Sequence, residues 1–191
     1  MEKINLYDFD ETIYDGDSSV DFFFYCLKRH KKIIKIFPKM LGSVIKYKTK
    51  KITKTEMKEV IFSYLKFVPD VDKYVKDFWE NARNNIKPFY LLKDHSRDII
   101  ISASPEFLLK DICKELDTKM LIASRVDKKT GKFDGLNCHD VEKVRRLNEK
   151  IKNYEVEEAF SDSKSDDPIL KLAKNPYYVK GNKLIKAKFE K

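Results

Sequence analysis

INLYDFDETIYDGD, residues 4–17, is the stretch on which the reading of this chain turns. A short apolar run, residues 4–7, ends abruptly in Asp8 and Asp10, with Thr12, Asp15 and Asp17 close behind. Carboxylates this close repel one another, and a buried strand is a costly place to end in negative charge without a compensating cation. The stretch is either an ordinary acidic turn or a site for a cation and the chemistry that the cation supports. A calcium loop of EF-hand type does not fit, because its glycine and distal glutamate do not fall at the required offsets.

Outward from this stretch the pattern changes twice. Between residues 18 and 92 apolar residues recur at helical spacing, in SSVDFFFYCLKRH, KIFPKMLGSVIKYK, KTEMKEVIFSYLKF and VDKYVKDFWENARNNI, with breaks near Pro38, Thr53 and Pro69. That predicts three or four helices and no strand. After Pro88, DIIISAS reads as a central parallel strand and PEFLLKDICKEL as a helix with Pro105 near its first turn. KMLIAS reads as a strand, KKTGKFDGLNC as a turn with a small β excursion, and VEKVRRLNEKI as a helix. EVEEAFSDS then reads as a strand running into a turn, DPILKLAKN as a helix, and YYVKGNKLIKA as two short strands around Gly181-Asn182. The expected architecture is a parallel α/β sheet with an all-helical block inserted after the first strand. Open sheets of this kind bind ligands at the carboxyl ends of their strands. The polar turns fall there: Asp8-Asp10-Thr12, Ser102-Ala103-Ser104, and residues 162–166.

The 191 residues suit one domain of common size with a modest insertion, and 42% hydrophobic with 13% aromatic residues is enough for a real core. A net charge of +9 favours anionic partners: phosphorylated metabolites, nucleic acid or acidic membrane. Three widely spaced cysteines, Cys26, Cys113 and Cys138, form no CxxC, and three histidines form no ligand array, so Cys138-His139 reads as structural. A strand within the first few residues leaves no room for a signal peptide, and no apolar run spans a bilayer. The expected location is the cytoplasm.

The chemistry that matches these turns is phosphoryl transfer, which needs a nucleophile, a proton donor, a metal and fixed positive donors. Asp8 can act as the carboxylate nucleophile, and Asp10, two residues on, as the acid that protonates the leaving alcohol and then activates water. Asp8, the Asp10 carbonyl and Asp162 suffice for Mg²⁺, which usually keeps several waters. Ser102, at its strand end, can grip a phosphoryl oxygen. A balancing cation comes from Lys143, Arg145, Arg146 or Lys150, and the residues alone do not choose among them.

DFDET, IIISAS, VEKVRRL and SDSKSDD, in this order, resemble the four motifs of the haloacid dehalogenase superfamily. DGDSS and SASPEFL narrow the resemblance to subfamily IB, the branch that includes phosphoserine phosphatases. It covers essentially the whole chain. It implies a Rossmann-like parallel core, residues 1–16 and 89–191, with a helical cap of the C1 type, residues 17–88. It implies Mg²⁺-dependent hydrolysis of a phosphomonoester through an aspartyl-phosphate, with Asp8 the nucleophile and Asp10 the acid/base. It also implies Thr12 as the hydroxyl that steadies the first loop, and Ser102, with Ala103 and Ser104 beside it, as the phosphate grip. Lys143 is the lysine it implies for the third motif, and Asp8, Asp10, Asp162 and Asp166 are the metal set.

In the resemblance the cap selects the substrate. Asp17 falls where phosphoserine phosphatases bind the substrate amine, but the arginine that such caps use for the carboxylate has no counterpart between Arg29 and Arg83. Asp15 and Asp17 can instead cap the first helix. From Phe22 to Thr55 there is no acid, while eleven lysines and arginines, among them Lys32, Lys35 and Lys39, sit among Ile, Phe, Met, Leu and Val. A solvated face over a helical core, serving a small soluble phosphorylated metabolite, is the preferred reading. The alternative is peripheral contact with anionic lipid, as in the superfamily branch that dephosphorylates phosphatidylglycerophosphate. A non-enzymatic nucleic-acid-binding module is the third reading, and no binding motif accompanies its charge.

Overall fold

A computed structural model describes residues 1–189; the last two residues of the 89–191 segment lie outside the described residues. Strand β1 (Glu2–Tyr7) is followed by five helices: α1 (Ser18–Arg29), α2 (Phe37–Lys48), α3 (Lys54–Phe62), α4 (Val71–Ala82) and the single turn α5 (Pro88–Leu91). Then come β2 (Asp98–Pro105), α6 (Glu106–Glu115), β3 (Met120–Ser124), α7 (Val141–Lys150), β4 (Tyr154–Ser161), the single turn α8 (Asp167–Leu170), β5 (Ala173–Lys180) and β6 (Lys183–Lys186). Short 3₁₀ segments join α1 to α2, extend α3 and α4, and precede α8.

The sheet runs β3-β2-β1-β4-β5-β6, with only β6 antiparallel. Its parallel part has the order 3-2-1-4-5 of a doubly wound Rossmann-like sheet, in which winding reverses between β1 and β4. The pleat divides the buried residues between two faces. Ile4, Leu6, Ile99, Ile101 and Val156 face one way, against Leu147, Ile169 and Leu170. Tyr7, Ile100 and Phe160 face the other, where the helices between β1 and β2 lie. Both faces are covered, which is why the central strands read as unbroken apolar runs.

The inserted helices share this second core. Phe22, Phe78 and Trp79 pack in one cluster with Tyr7, Phe9, Leu108 and Ile112. Buried Trp79 donates its Nε1–H to the Leu108 carbonyl at 2.6 Å. Helix starts follow their caps: Asp17 for α1, the capping box of Thr53 and Glu56 for α3, and Asp70 for α4. The loop before α7 also pins α3, through Phe133 N–H to Glu59 and Asn137 N–H to the Thr55 hydroxyl.

Two sequence expectations are corrected. DPILKLAKN is not one helix: α8 makes a single turn, and residues 173–175 already belong to β5. Ile169 and Leu170 complete the core within that turn, and pairing of Ala173 with Val156 then outweighs local helical spacing. Pro176 sits buried inside β5, pairing with Ala159 of β4, and its carbonyl accepts the Ala187 N–H at 2.9 Å just past β6. Pro38 opens α2 in its first turn rather than breaking a helix, because its missing N–H has no partner to lose there. Gly181, at φ +56°, turns the final hairpin as expected.

Among the described residues, no helix is long and apolar enough to cross a membrane. The three cysteines are free and buried.

Candidate active site

Strand register carries the polar turns to one place. Tyr7 pairs with Ile100 on one side and Phe160 on the other. Asp8 is therefore the first residue past β1, its N–H still bonded to the Phe160 carbonyl at 2.9 Å. Ser102 and Asp162 each stand two residues beyond the same level on β2 and β4. These are the strands that flank the reversal of winding.

A cavity of about 600 Å³ opens there. Asp8, Asp10, Asp17, Ala103, Ser104, Lys143, Asp162 and Asp166 all line it. Thr12 and Ser102 do not; both are fully buried behind it. The Thr12 hydroxyl accepts from the Asp162 N–H at 3.0 Å, tying the loop after β1 to the loop after β4. The Ser102 hydroxyl accepts from the Ser104 N–H at 3.0 Å and so shapes the turn after β2.

The four cations that the sequence left open on or near α7 separate cleanly. Lys143 is 2% exposed and donates to Asp8 Oδ1 and Asp166 Oδ2, each at 2.7 Å. Arg145 pairs with Glu142 and Glu149 on the helix surface. Buried Arg146 binds Glu142 and the carbonyls of Ala123 and Leu136, so it fastens the helix to the sheet. Lys150 is exposed.

Electrostatically the site is short of positive charge. Burial pushes the Asp8 carboxyl up to about 7; Lys143 opposes the shift, while Asp166 and Asp10 add to it. Burial likewise raises Asp10 to about 6, with Asp17 adding and hydrogen bonds from Ser104 and Ser18 opposing. Asp162 is also raised, chiefly by burial. Burial works against the charge of Lys143, but Asp8 and Asp166 outweigh it and hold the ammonium. Lys143 thus serves two carboxylates, and among the described residues no lysine contacts Asp10 or Asp162 directly.

An oxygen-only donor set with excess negative charge fits a hard divalent cation such as Mg²⁺. Among the described residues, no three His, Cys, Asp or Glu side chains close into a cage. Mg²⁺ does not require one, since it is usually held by one or two carboxylates and keeps several waters.

Asp10 is held on both oxygens. Oδ1 accepts from the Ser18 N–H at 2.7 Å and Oδ2 from the Ser104 hydroxyl at 2.5 Å. Ser19 shares the Ser104 hydroxyl at 2.7 Å, so α1 and the turn after β2 meet over this carboxylate. Asp17 caps α1, accepting from the Val20 N–H at 3.0 Å, as the capping alternative expected, and it also borders the cavity.

Sequence reasoning missed Lys58. It reaches down from α3 and donates to the Ala103 carbonyl at 2.9 Å. Burial, with Lys54 adding, pushes its ammonium down to about 8. Lys54 and His139 border the same cavity, and burial lowers both. The available signal was Lys54 and Lys58 at i, i+4 on one helix face, facing the turn after β2.

A doubly wound sheet with carboxylates and one buried lysine gathered where its winding reverses defines a Rossmann-like enzyme with an acidic active site. The chain belongs to the haloacid dehalogenase-like hydrolases, whose family model matches residues 6–171. No curated protein matches it. Its fold is similar to that of a Bordetella pertussis Tohama I protein of unknown function, with TM-score 0.74, 18% identity, and 92% of this chain and 89% of that one covered. It is also similar to a probable phosphoserine phosphatase from Vibrio cholerae, with TM-score 0.64, 13% identity and coverage of 92% and 55%. A phosphoserine phosphohydrolase-like protein from Francisella tularensis follows at TM-score 0.57, 15% identity and coverage of 92% and 86%.

Proposed function

We propose that this hydrolase is a phosphatase that cleaves a phosphomonoester through an aspartyl-phosphate on Asp8. The observation that carries the reading is the bridge from Lys143 to both Asp8 and Asp166, beside Asp10 in one cavity at the strand ends. Lys143 neutralises Asp8 enough for an anionic phosphate to approach, and it fixes the direction of the carboxylate. Asp8 attacks phosphorus, and the alcohol oxygen leaves with the proton of Asp10. Water then gives its proton to Asp10 and its oxygen to phosphorus, phosphate departs, and Asp8 is regenerated. A carboxyl raised to about 6 suits an acid and base working near neutral pH.

Asp8, the Asp10 carbonyl and Asp162 would hold Mg²⁺, with Asp166 behind them. When bound, the ion neutralises phosphoryl oxygens and the carboxylate excess. Ala103 and Ser104, which line the cavity, would grip the phosphate, and the buried Ser102 hydroxyl would only shape their turn. Residues 17–88 would act as the cap over a core of residues 1–16 and 89–191, with Lys58 closing the cavity from the cap side. The fold shared with proteins described as phosphoserine phosphatases supports the reaction class, not the substrate.

Asp10→Asn tests the assignment. A neutral amide cannot donate and recover the proton, so turnover of an aryl phosphate should fall by about 10²–10⁴ while the circular dichroism spectrum is kept. A folded Asp10→Asn variant with near-normal turnover would remove Asp10 from the mechanism.

A further inference from the structure

The cavity has two unlike ends. Its floor is the acidic site, and its wall on the cap side is built from Phe23, Phe24, Phe37, Met40, Met57 and Phe62. A volume of about 600 Å³ lies within the roughly 300–1,000 Å³ typical of pockets for drug-sized ligands, far more than a phosphate on a three-carbon alcohol would fill. Tyr64 stands in this wall fully buried, and its hydroxyl has no partner in the protein. Asp17, Lys54 and Lys58 border the cavity nearer its acidic end, and the aromatic and methionine side chains of this wall offer a charged group no partner.

The mouth is apolar as well. Val20, Phe24 and Phe37 border the cavity and are 47%, 49% and 39% exposed. The patch continues outward along α2, whose Leu41 and Ile45 are 64% and 55% exposed and whose only buried residue is Ser43. Exposed Lys35, Lys39 and Lys46 surround it. The expected solvated face over an ordinary helical core therefore holds for the lysines of α2 but not for its apolar side chains.

We propose that the cap wall is a leaving-group subsite, and that the substrate is an amphipathic phosphomonoester: a phosphate at Asp8 carrying an alkyl chain or comparable apolar body that lies along Phe23, Met40, Met57 and Phe62. The inference rests on the phosphatase reading of the floor and names its substrate class. A chain buried there leaves water methylene by methylene. Monomeric amphiphiles in solution and lipid monoesters at a membrane share this chemistry.

The experiment is a chain-length series. Wild-type protein with Mg²⁺ is assayed on n-alkyl phosphates from ethyl to decyl, each below its micellar concentration. n-Alkylphosphonates of the same lengths serve as unreactive probes in calorimetry. The subsite predicts that kcat/KM rises, and Kd tightens, by about fourfold for each fully buried methylene. Phe24→Asn, at a half-exposed position that does not endanger the fold, should lower the decyl-to-ethyl ratio of kcat/KM several-fold; Met57→Gln should lower it more. Phosphoserine should be turned over less well than hexyl phosphate. Decyl phosphate presented in phosphatidylglycerol vesicles separates the two sources. Stimulation that salt abolishes supports a membrane substrate, and its absence with the chain-length slope intact supports a soluble amphiphile. Turnover of ethyl phosphate with a flat series would overturn the subsite and leave the phosphatase standing. No turnover of any member would overturn the phosphatase reading and the subsite together.

Discussion

Replacing Lys143 with methionine keeps most of the side-chain volume and removes the charge that Asp8 and Asp166 share. Both carboxylates then face a buried site without their 2.7 Å partner. Removing one member of a buried ion pair typically costs about 3–5 kcal/mol, because a charge is left uncompensated. For a chain of this length, 1 kcal/mol shifts Tm by about 2–4 °C, so Tm should fall by roughly 6–20 °C at pH 8. The loss should depend on pH in a definite direction. The Asp8 carboxyl, pushed up to about 7 with the lysine present, must move higher without it. An unfolded aspartate titrates near 3.9, so between about pH 4 and 7 the folded variant binds more protons than the unfolded chain. Below about pH 7 the folded wild type does the same, so the deficit changes only above it, where Asp8 is protonated in the variant and charged in the wild type, and it shrinks as pH falls from 8.5 toward 7. Differential scanning calorimetry from pH 5 to 8.5 measures this. A deficit that is constant above pH 7, or that grows on acidification, would refute the claim that Lys143 neutralises buried carboxylates.

Chelation with EDTA should silence hydrolysis and Mg²⁺ should restore it, with Ca²⁺ serving poorly because it favours more ligands at longer distances; Asp162→Ala should raise the Mg²⁺ requirement, and activity indifferent to EDTA would exclude this role. Glu142, held by Arg145 and Arg146, has its carboxyl lowered to about 2. Glu142→Gln should cost roughly 2–3 kcal/mol at pH 7, and because the folded pKa is depressed that cost should be lost as pH falls from about 4 through 2. Gly131, at φ +74°, would bring an added Cβ to 2.3 Å from the Phe62 carbonyl oxygen. Gly131→Ala should lose at least about 1–2 kcal/mol in urea denaturation, from the left-handed backbone before the clash is counted.

The sheet was legible because each central strand is an apolar run that stops at a polar turn, and INLY, DIIIS and EVEEAFS announce their own ends. The site was legible for the same reason: Asp8, Ser102 and Asp162 each stand just past such a run. The choice of Lys143 over Arg145, Arg146 and Lys150 was not, from the residues alone, because it depends on which face α7 presents to the sheet. Lys58 was hidden among other lysines, since only the packing of α3 brings it to Ala103. The apolar wall was hidden more deeply. Phe23, Met40 and Phe62 at helical spacing read the same whether they fill a core or line a cavity. α8 was overread because Ile169 and Leu170 match a helical period that pairing with β4 then overrides.

The central claim is that Asp8 carries the phosphoryl group. Acid quenching during turnover, followed by peptide mass spectrometry, reads it directly. A hydroxylamine-labile phosphoryl group should appear on the peptide that contains Asp8 and be absent from a folded and inactive Asp8→Asn variant. Sustained turnover by folded Asp8→Asn, or a phosphoryl group carried on a different residue, would contradict it.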